Sequence, residues 1–320
     1  NKIIEENKLY LFENLYSYLK ENLEKYSFNE LSKIIELANS KRTKNAAYYT
    51  SQDICYTLVK DLPDFNKNKD VTILEPSVGC GNFLPLLFNK YKANKKVVID
   101  LVDIDKDMLK ILELLLKKIK VPKNIKLNYI NNDLILHKFK KKYDVVIGNP
   151  PFKKIVKNKQ LLNNYKDGMI NKNTNNIFSF FIEKSLKLSN VVALITPKSL
   201  ISTPELNKTR ELIRKSNIIK LVDYGEKAFD IKIETISIIT NSSKRHIETL
   251  KVESYITNDV RFINSKYLMD ENYPYWLLYR NEFFDNVAKK LIFNKFKSFR
   301  DRQITKKITK DVGKYRVLKS

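Results

Sequence analysis

Apolar residues recur at helical spacing through Ile4, Leu11, Leu15, Tyr18 and Leu19, and residues 28–37 repeat the pattern, which predicts a helical extension over residues 1–45. No reactive group stands out within it. From Val71 the texture changes to short β-branched runs at 71–74, 97–102, 126–130, 144–147, 191–195, 218–222 and 235–240, each followed by a helical stretch or a loop. This alternation predicts an α/β fold, an open, doubly wound, Rossmann-like sheet of seven strands, with helices at 51–60, 82–91, 106–119, 177–188 and 204–216. Pro204 suits a first helical turn. No helical pattern separates the last two strands, so they are expected to form an antiparallel hairpin at one edge of the sheet. Beyond Lys244 the pattern loosens into the aromatic segments Tyr273-Pro274-Tyr275-Trp276 and Phe283-Phe284 and a basic stretch at 295–310. The organisation expected is a helical extension at 1–45, a catalytic domain at 46–243 and a further module at 244–320.

Composition narrows the classes. A chain of 320 residues, 43% of them hydrophobic, is long enough to bury a sizeable core, which excludes a disordered tail or a disulfide-stapled miniprotein. Cys55, Cys80, His137 and His246 show no zinc-ligand spacing and no secreted disulfide framework, so no metal is expected and a reducing cytoplasm is the default location. No apolar run approaches the roughly 18 residues of a membrane span. Sixty Lys+Arg against 36 Asp+Glu give a net charge of +24, which points to a polyanionic partner such as nucleic acid or an acidic membrane surface. The excess runs through the whole Lys- and Asn-rich chain, so charge alone does not identify that partner.

Glycine is scarce, with six in the chain, and two of them, Gly79 and Gly81, fall where the first strand turns sharply into a helix. Glycine there permits positive φ and lets a ligand approach the backbone, although a plain tight turn has the same needs. No Lys-Ser/Thr follows and no third glycine stands in dinucleotide register, so a ligand without phosphates is favoured. Glu75, ending the first strand, would face a cationic amino group. Asp103 ends the second strand where such folds bind ribose hydroxyls, while Asp105 suits a helix N-cap. After the third strand, Asp133 is either an acceptor for an exocyclic adenine amine or a solvated loop acid.

The most specific segment is Asp144-Val145-Val146-Ile147-Gly148-Asn149-Pro150-Pro151-Phe152. Two prolines fix φ twice, remove two donors and hold Asn149 extended. The Asn149 side-chain oxygen and the Pro150 carbonyl then form a rigid pair of acceptors beside an aromatic face. Such a pair suits an amine whose lone pair is delocalised: accepting its two N–H bonds favours a pyramidal nitrogen, freeing the lone pair for in-line attack, while Phe152 stacks on the ring.

With these motifs in order over residues 46–240, the sequence resembles the gamma-class S-adenosylmethionine-dependent adenine-N6 DNA methyltransferases of bacterial type II restriction–modification systems. Tyr48-Tyr49-Thr50 resembles the family's N-terminal cofactor motif, with Thr50 implied at the methionine carboxylate and Ser51 standing where proline is frequent. Glu75-Pro76-x-x-Gly79-x-Gly81-x-Phe83 resembles the cofactor loop, with Glu75 at the methionine amino group. Asp103 matches the ribose-binding acid, Asp133-Leu134 the pair at the cofactor's adenine, and Asn149-Pro150-Pro151-Phe152 the catalytic motif. The resemblance further implies that Phe181, within Asn176-Ile177-Phe178-Ser179-Phe180-Phe181, completes the cofactor pocket. Phe229, within Ala228-Phe229-Asp230, would stack on the target base opposite Phe152. Phe181 is equally readable as helix core, and Phe229 as hairpin packing.

The cofactor so implied is S-adenosyl-L-methionine. The partners are double-stranded DNA with a flipped adenine and a cognate restriction endonuclease, with no membrane. A target-recognition domain follows the catalytic one in this class. About eighty residues remain here, too few for a whole one, so a partial or unusually small recognition module is expected at 244–320. A glutamine methyltransferase acting on a release factor or other protein shares the Asn-Pro-Pro chemistry, but its cofactor loop lacks the Glu-Pro start and it lacks a basic C-terminal extension. Cytosine-N4 enzymes more often carry Ser in place of Asn149. A catalytically silent DNA-binding subunit would not need the intact motif.

Overall fold

A computed structural model describes residues 2–39, 50–229, 231–243, 249–292 and 295. Tyr48, Tyr49, Asp230 and nearly all of the basic 295–310 stretch lie outside the described residues. The chain divides into two compact units, Asn1–Leu278 and Tyr279–Ser320.

The first unit is built on one sheet: β1 (Asp70–Pro76), β2 (Lys96–Asp103), β3 (Ile125–Asn131), β4 (Tyr143–Gly148), β5 (Ser189–Pro197), β6 (Ile218–Gly225), β7 (Thr235–Asn241), β8 (Thr249–Ser254) and β9 (Asp259–Asn264). Their spatial order is β3-β2-β1-β4-β5-β7-β6-β8-β9. β1 to β5 run parallel, β7 is antiparallel to both β5 and β6, and β9 is antiparallel to β8. The central strands are apolar on both faces because both are covered. In β4, Val145 and Ile147 join one core layer and Val146 the other, the two-residue alternation of a pleated strand. Helices α4 (Gln52–Val59), α5 (Leu84–Tyr91) and α6 (Lys106–Leu115) cover the first face; α7 (Lys159–Lys166), α8 (Ile177–Leu188) and α9 (Asn207–Lys215) cover the second.

The seven expected strands are all present, and two more extend the sheet. The pair β6 and β7 is antiparallel as expected but internal, because β8 pairs with β6 in parallel and β9 closes the edge. A buried ion cluster holds that extension in place. The Lys220 ammonium on β6 pairs with Glu253 on β8 at 3.0 Å and with Asp61 just after α4, and donates to the Thr57 carbonyl at 2.9 Å. Residues 249–278 therefore pack with the sheet, whereas the sequence pattern ends the catalytic domain at 243. β9 is an edge strand whose burial alternates residue by residue, which is why its texture reads as polar loop.

The N-terminal helices α1 (Lys2–Glu6), α2 (Phe12–Asn22) and α3 (Phe28–Ala38) form the expected extension. Ser27 starts α3 with a capping box, its hydroxyl accepting from the Glu30 N–H while the Glu30 carboxylate accepts the Ser27 N–H at 2.8 Å. Leu31, Ile35 and Ala38 of α3 bury against Leu15 and Leu19 of α2 and against Ile111, Leu114 and Leu115 of α6. A short helix α10 (Ser265–Leu268) follows β9, and α11 (Glu282–Ala288) belongs to the second unit, capped by the Asn281 side chain accepting from the Phe284 N–H at 2.8 Å. No helix among the described residues is long and apolar enough to cross a membrane.

Candidate active site

Strand order reverses between β1 and β4: the chain moves outward from β1 through β2 to β3, then returns to lay β4 on the other side of β1. The crevice beyond the carboxyl ends of those two strands is where open α/β sheets bind ligands. It holds the two loops singled out by the sequence. The Ser77 hydroxyl shares its proton between the Pro76 carbonyl at 2.6 Å and the Asn149 carbonyl at 3.2 Å, joining the loop after β1 to the corner after β4. Gly148 permits this approach, since a Cβ there would stand 2.9 Å from the Pro76 carbonyl oxygen.

A cavity of about 320 Å³ opens at this point. Its wall includes Thr50, Glu75, Gly79, Asp103, Asp133, Leu134, Asn149, Pro151 and Phe181, nine of the residues expected at the site. Pro76, Gly81, Pro150, Phe152 and Phe229 stand outside that wall. Gly79 takes φ +52° and a Cβ there would meet nothing within 4 Å. Gly81 takes φ +69°, and a Cβ there would lie 2.7 Å from both Leu84 and Leu112, so it serves helix packing behind the loop.

The cavity's electrostatics favour a cation. Glu75 is 2% exposed, and its Oε2 has no hydrogen-bond partner among the described residues. Burial holds its pKa well above the ordinary carboxylate range, and the charge of Asp103 on the adjacent strand adds to the shift. Asp103 is itself raised by burial, against which the N–H groups of Asp105 and Gly79 act, each donating to its carboxylate at 2.9 Å. Asp105 caps α6 by accepting from the Asp107 N–H at 3.1 Å, the alternative role read for it.

Asn149 is oriented by Thr50: its Nδ2 donates to the Thr50 hydroxyl oxygen at 3.1 Å. The amide is thereby fixed with its nitrogen toward α4, and the Thr50 hydroxyl keeps its own proton to donate. Ser51 caps α4 by accepting from the Ile54 N–H at 3.5 Å, and its φ of −64° is one that proline also adopts, which accounts for serine at a position where proline is frequent. Phe152 meets Phe229 edge to face with ring centroids 5.8 Å apart at 74°, and meets Phe178 at 6.4 Å. The two aromatics expected to flank a target base touch each other here, and Phe229 is buried in the first core layer, the packing alternative read from the sequence.

Several wall residues carried no signal in the motifs. Ile35 and Glu36 of α3, with Asn39 that caps it, line the cavity, and α3 is tied to the loop after β1 where the Ser32 hydroxyl donates to Asn82 Oδ1 at 2.6 Å. The capping box and apolar period of α3 are readable, but not where the helix docks. Leu161 and Tyr165 enter from α7, whose Lys- and Asn-rich sequence hides its apolar stripe.

The sequence profile of the Eco57I restriction-modification methylase family matches residues 4–229. The type II methyltransferase M.AccI of Acinetobacter calcoaceticus is 26% identical over 251 residues, 75% of this chain and 42% of its own length. The type II methyltransferase M.VspI of Vibrio sp. (strain 343) is 27% identical over 203 residues, 61% of this chain and 48% of its own. The chain thus spans about half the length of these curated relatives or less. Among solved structures, a chain from Listeria monocytogenes described as a class I S-adenosylmethionine-dependent methyltransferase superposes with TM-score 0.56 at 19% identity, covering 72% of this chain and 74% of that one. The type I restriction-modification system methyltransferase subunit from Streptococcus thermophilus superposes with TM-score 0.54 at 15% identity, covering 82% of this chain and 57% of that one. The α/β methyltransferase fold is common to all three structures.

Proposed function

Because the chain belongs to the Eco57I restriction-modification methylase family, we propose that it methylates the N6 amine of an adenine flipped out of double-stranded DNA, as the modification partner of a cognate restriction endonuclease. Its cofactor is S-adenosylmethionine, which supplies an electrophilic methyl on sulfur. The cavity suits that group: a buried carboxylate oxygen on Glu75 lacks a partner among the described residues, and Gly79 leaves open space beside it. Glu75 would receive the ammonium, Asp103 the ribose hydroxyls, Asp133 and Leu134 the adenine with Phe181 against it, and the Thr50 hydroxyl the carboxylate.

The observation that carries the reading is the Ser77–Asn149 bridge, which sets the acceptor corner at the rim of the cation-favouring cavity. Asn149 Oδ1 and the Pro150 carbonyl would accept the two N–H bonds of the target amine. The freed lone pair would attack the methyl that the cofactor supplies, and the C–S electron pair would leave with sulfur. The proton released from the methylated nitrogen passes by way of these acceptors to water, with no strong base needed. Phe152 and Phe229 would separate to admit the base, exchanging one ring contact for two stacking faces. Target recognition is assigned to the C-terminal module read at 244–320, of which the unit beginning at Tyr279 is the separate part.

Incubation with labelled S-adenosylmethionine and mixed DNA, followed by digestion to nucleosides, is expected to place the label on N6-methyl-2′-deoxyadenosine. Label on cytosine or on protein glutamine would reject the assignment. DNA affinity is expected to fall steeply with salt, by about 10³-fold or more between 50 and 200 mM for roughly six or more phosphate contacts, through counterion release. A flat response in a filter-binding titration would remove the polyanion argument.

A further inference from the structure

Asp133 opens a tight turn after β3. Its Oδ1 accepts the N–H groups of Ile135 at 2.9 Å and Leu136 at 3.4 Å, and its Oδ2 accepts the hydroxyl of Tyr165. An ionised carboxylate offers about four lone-pair positions, so these three bonds leave one, on Oδ2. The turn is held from a second side as well: Lys184 of α8 donates to the carbonyls of Ile135 at 3.0 Å and His137 at 2.8 Å. Tyr165 in turn is fixed by its ring, which meets Phe180 edge to face at 5.8 Å. Both Asp133 and Tyr165 line the cavity.

We infer that Tyr165 is a positioning residue for the cofactor's base: by occupying one side of Oδ2 it leaves Asp133 a single acceptor position, suited to one N–H of a 6-aminopurine and hostile to a 6-oxopurine. The inference rests on the assignment of Asp133 to the cofactor's adenine. Burial raises the Tyr165 pKa, so the phenol stays protonated and remains a donor at neutral pH. A 6-oxo group would set its oxygen against the remaining lone pair, an acceptor facing an acceptor. Tyr165 lies thirteen residues after Phe152, so the segment leaving the catalytic corner returns to brace the far end of the cavity.

Calorimetric titration of the whole chain with S-adenosylhomocysteine, and with its analogue carrying hydrogen in place of the 6-amino group, tests this. The unaltered protein is expected to bind the amino compound more tightly. Tyr165→Phe, which keeps the ring and its contact with Phe180, is expected to weaken the amino compound about five- to tenfold and the deaminated analogue less than about twofold, the loss expected when a charge-assisted hydrogen bond is disordered rather than deleted. Equal weakening of both ligands would make Tyr165 a wall residue only, and no weakening of either would also overturn the proposal. If the unaltered protein does not distinguish the two ligands, the assignment of Asp133 to the adenine fails as well. The two failures are thus read from different columns of the same experiment.

Discussion

Asn149→Ala is expected to slow methyl transfer by about 10³-fold while changing cofactor affinity less than about threefold. The side-chain oxygen would act on charge that develops as the target nitrogen becomes pyramidal, and removing one preorganised hydrogen-bonding group of this kind typically costs 10²–10³ in turnover. Cofactor binding should survive because the buried acids, the glycine turn and Phe181 belong to other elements. The alanine also leaves the Thr50 hydroxyl without the 3.1 Å donor it now accepts from, a minor effect beside the catalytic loss. Single-turnover transfer and calorimetric binding measured on the same preparation decide the matter. Parallel loss of both would mean that Asn149 supports the pocket rather than acting on the substrate.

Glu75→Gln is expected to stabilise the ligand-free protein while weakening S-adenosylmethionine binding about 10²-fold. The folded-state pKa of Glu75 lies above its unfolded value, because burial and the neighbouring Asp103 charge disfavour ionisation. A carboxyl shifted in this direction binds more protons folded than unfolded, so stability declines as pH rises from the unfolded pKa through the folded one. Glutamine removes that decline, and the unfolding midpoint at neutral pH should rise by about 2–4 °C per kcal/mol recovered. The same change deletes the charge that would pair with the cofactor's ammonium, and losing one side of a buried ion pair costs about 2–5 kcal/mol. Affinity in the unaltered protein should weaken as pH falls through the raised pKa, because the carboxyl must ionise to pair, whereas the variant should show no such dependence. Scanning calorimetry without ligand and titrations across pH check both halves. A variant that is less stable and equally tight would show that Glu75 is a structural acid.

Most of the catalytic unit is legible from residue order because its signals are local. A β-branched run between turns stands out in β1, β2, β4 and β5 whatever surrounds it, and a polar side chain ending such a run must emerge at the sheet's carboxyl edge. Glu75, Asp103 and Asn149 were placed by that rule. Residues whose role depends on where a helix docks are not legible in this way. Tyr165 sits in Lys159–Lys166, where lysine and asparagine dilute the apolar period, and its partner Asp133 is thirty-two positions away, so no spacing rule relates them. β8 and β9 were missed for a different reason: β9 is an edge strand with one wet face, and β8 is held partly through Glu253 and Lys220, charged residues that read as surface until their pairing is seen. Phe229 is a third case. The family resemblance implies a stacking role for it, with hairpin packing as the alternative, and only the folded chain shows its contact with Phe152.

The docking of α3 on the glycine turn changes what counts as the enzymatic core. Motif order alone would draw the border just before Thr50, discarding a segment that bears no reactive group. Yet Ile35 and Asn39 line the cavity proposed for the cofactor, and Ser32 grips Asn82 beside the glycine turn. A polypeptide trimmed to its recognisable signatures would keep every side chain proposed as catalytic and still lose one wall of the cavity proposed for the methyl donor, so its failure could be mistaken for a chemical defect. For this chain the inert-looking leader is better regarded as a component of the proposed reaction chamber.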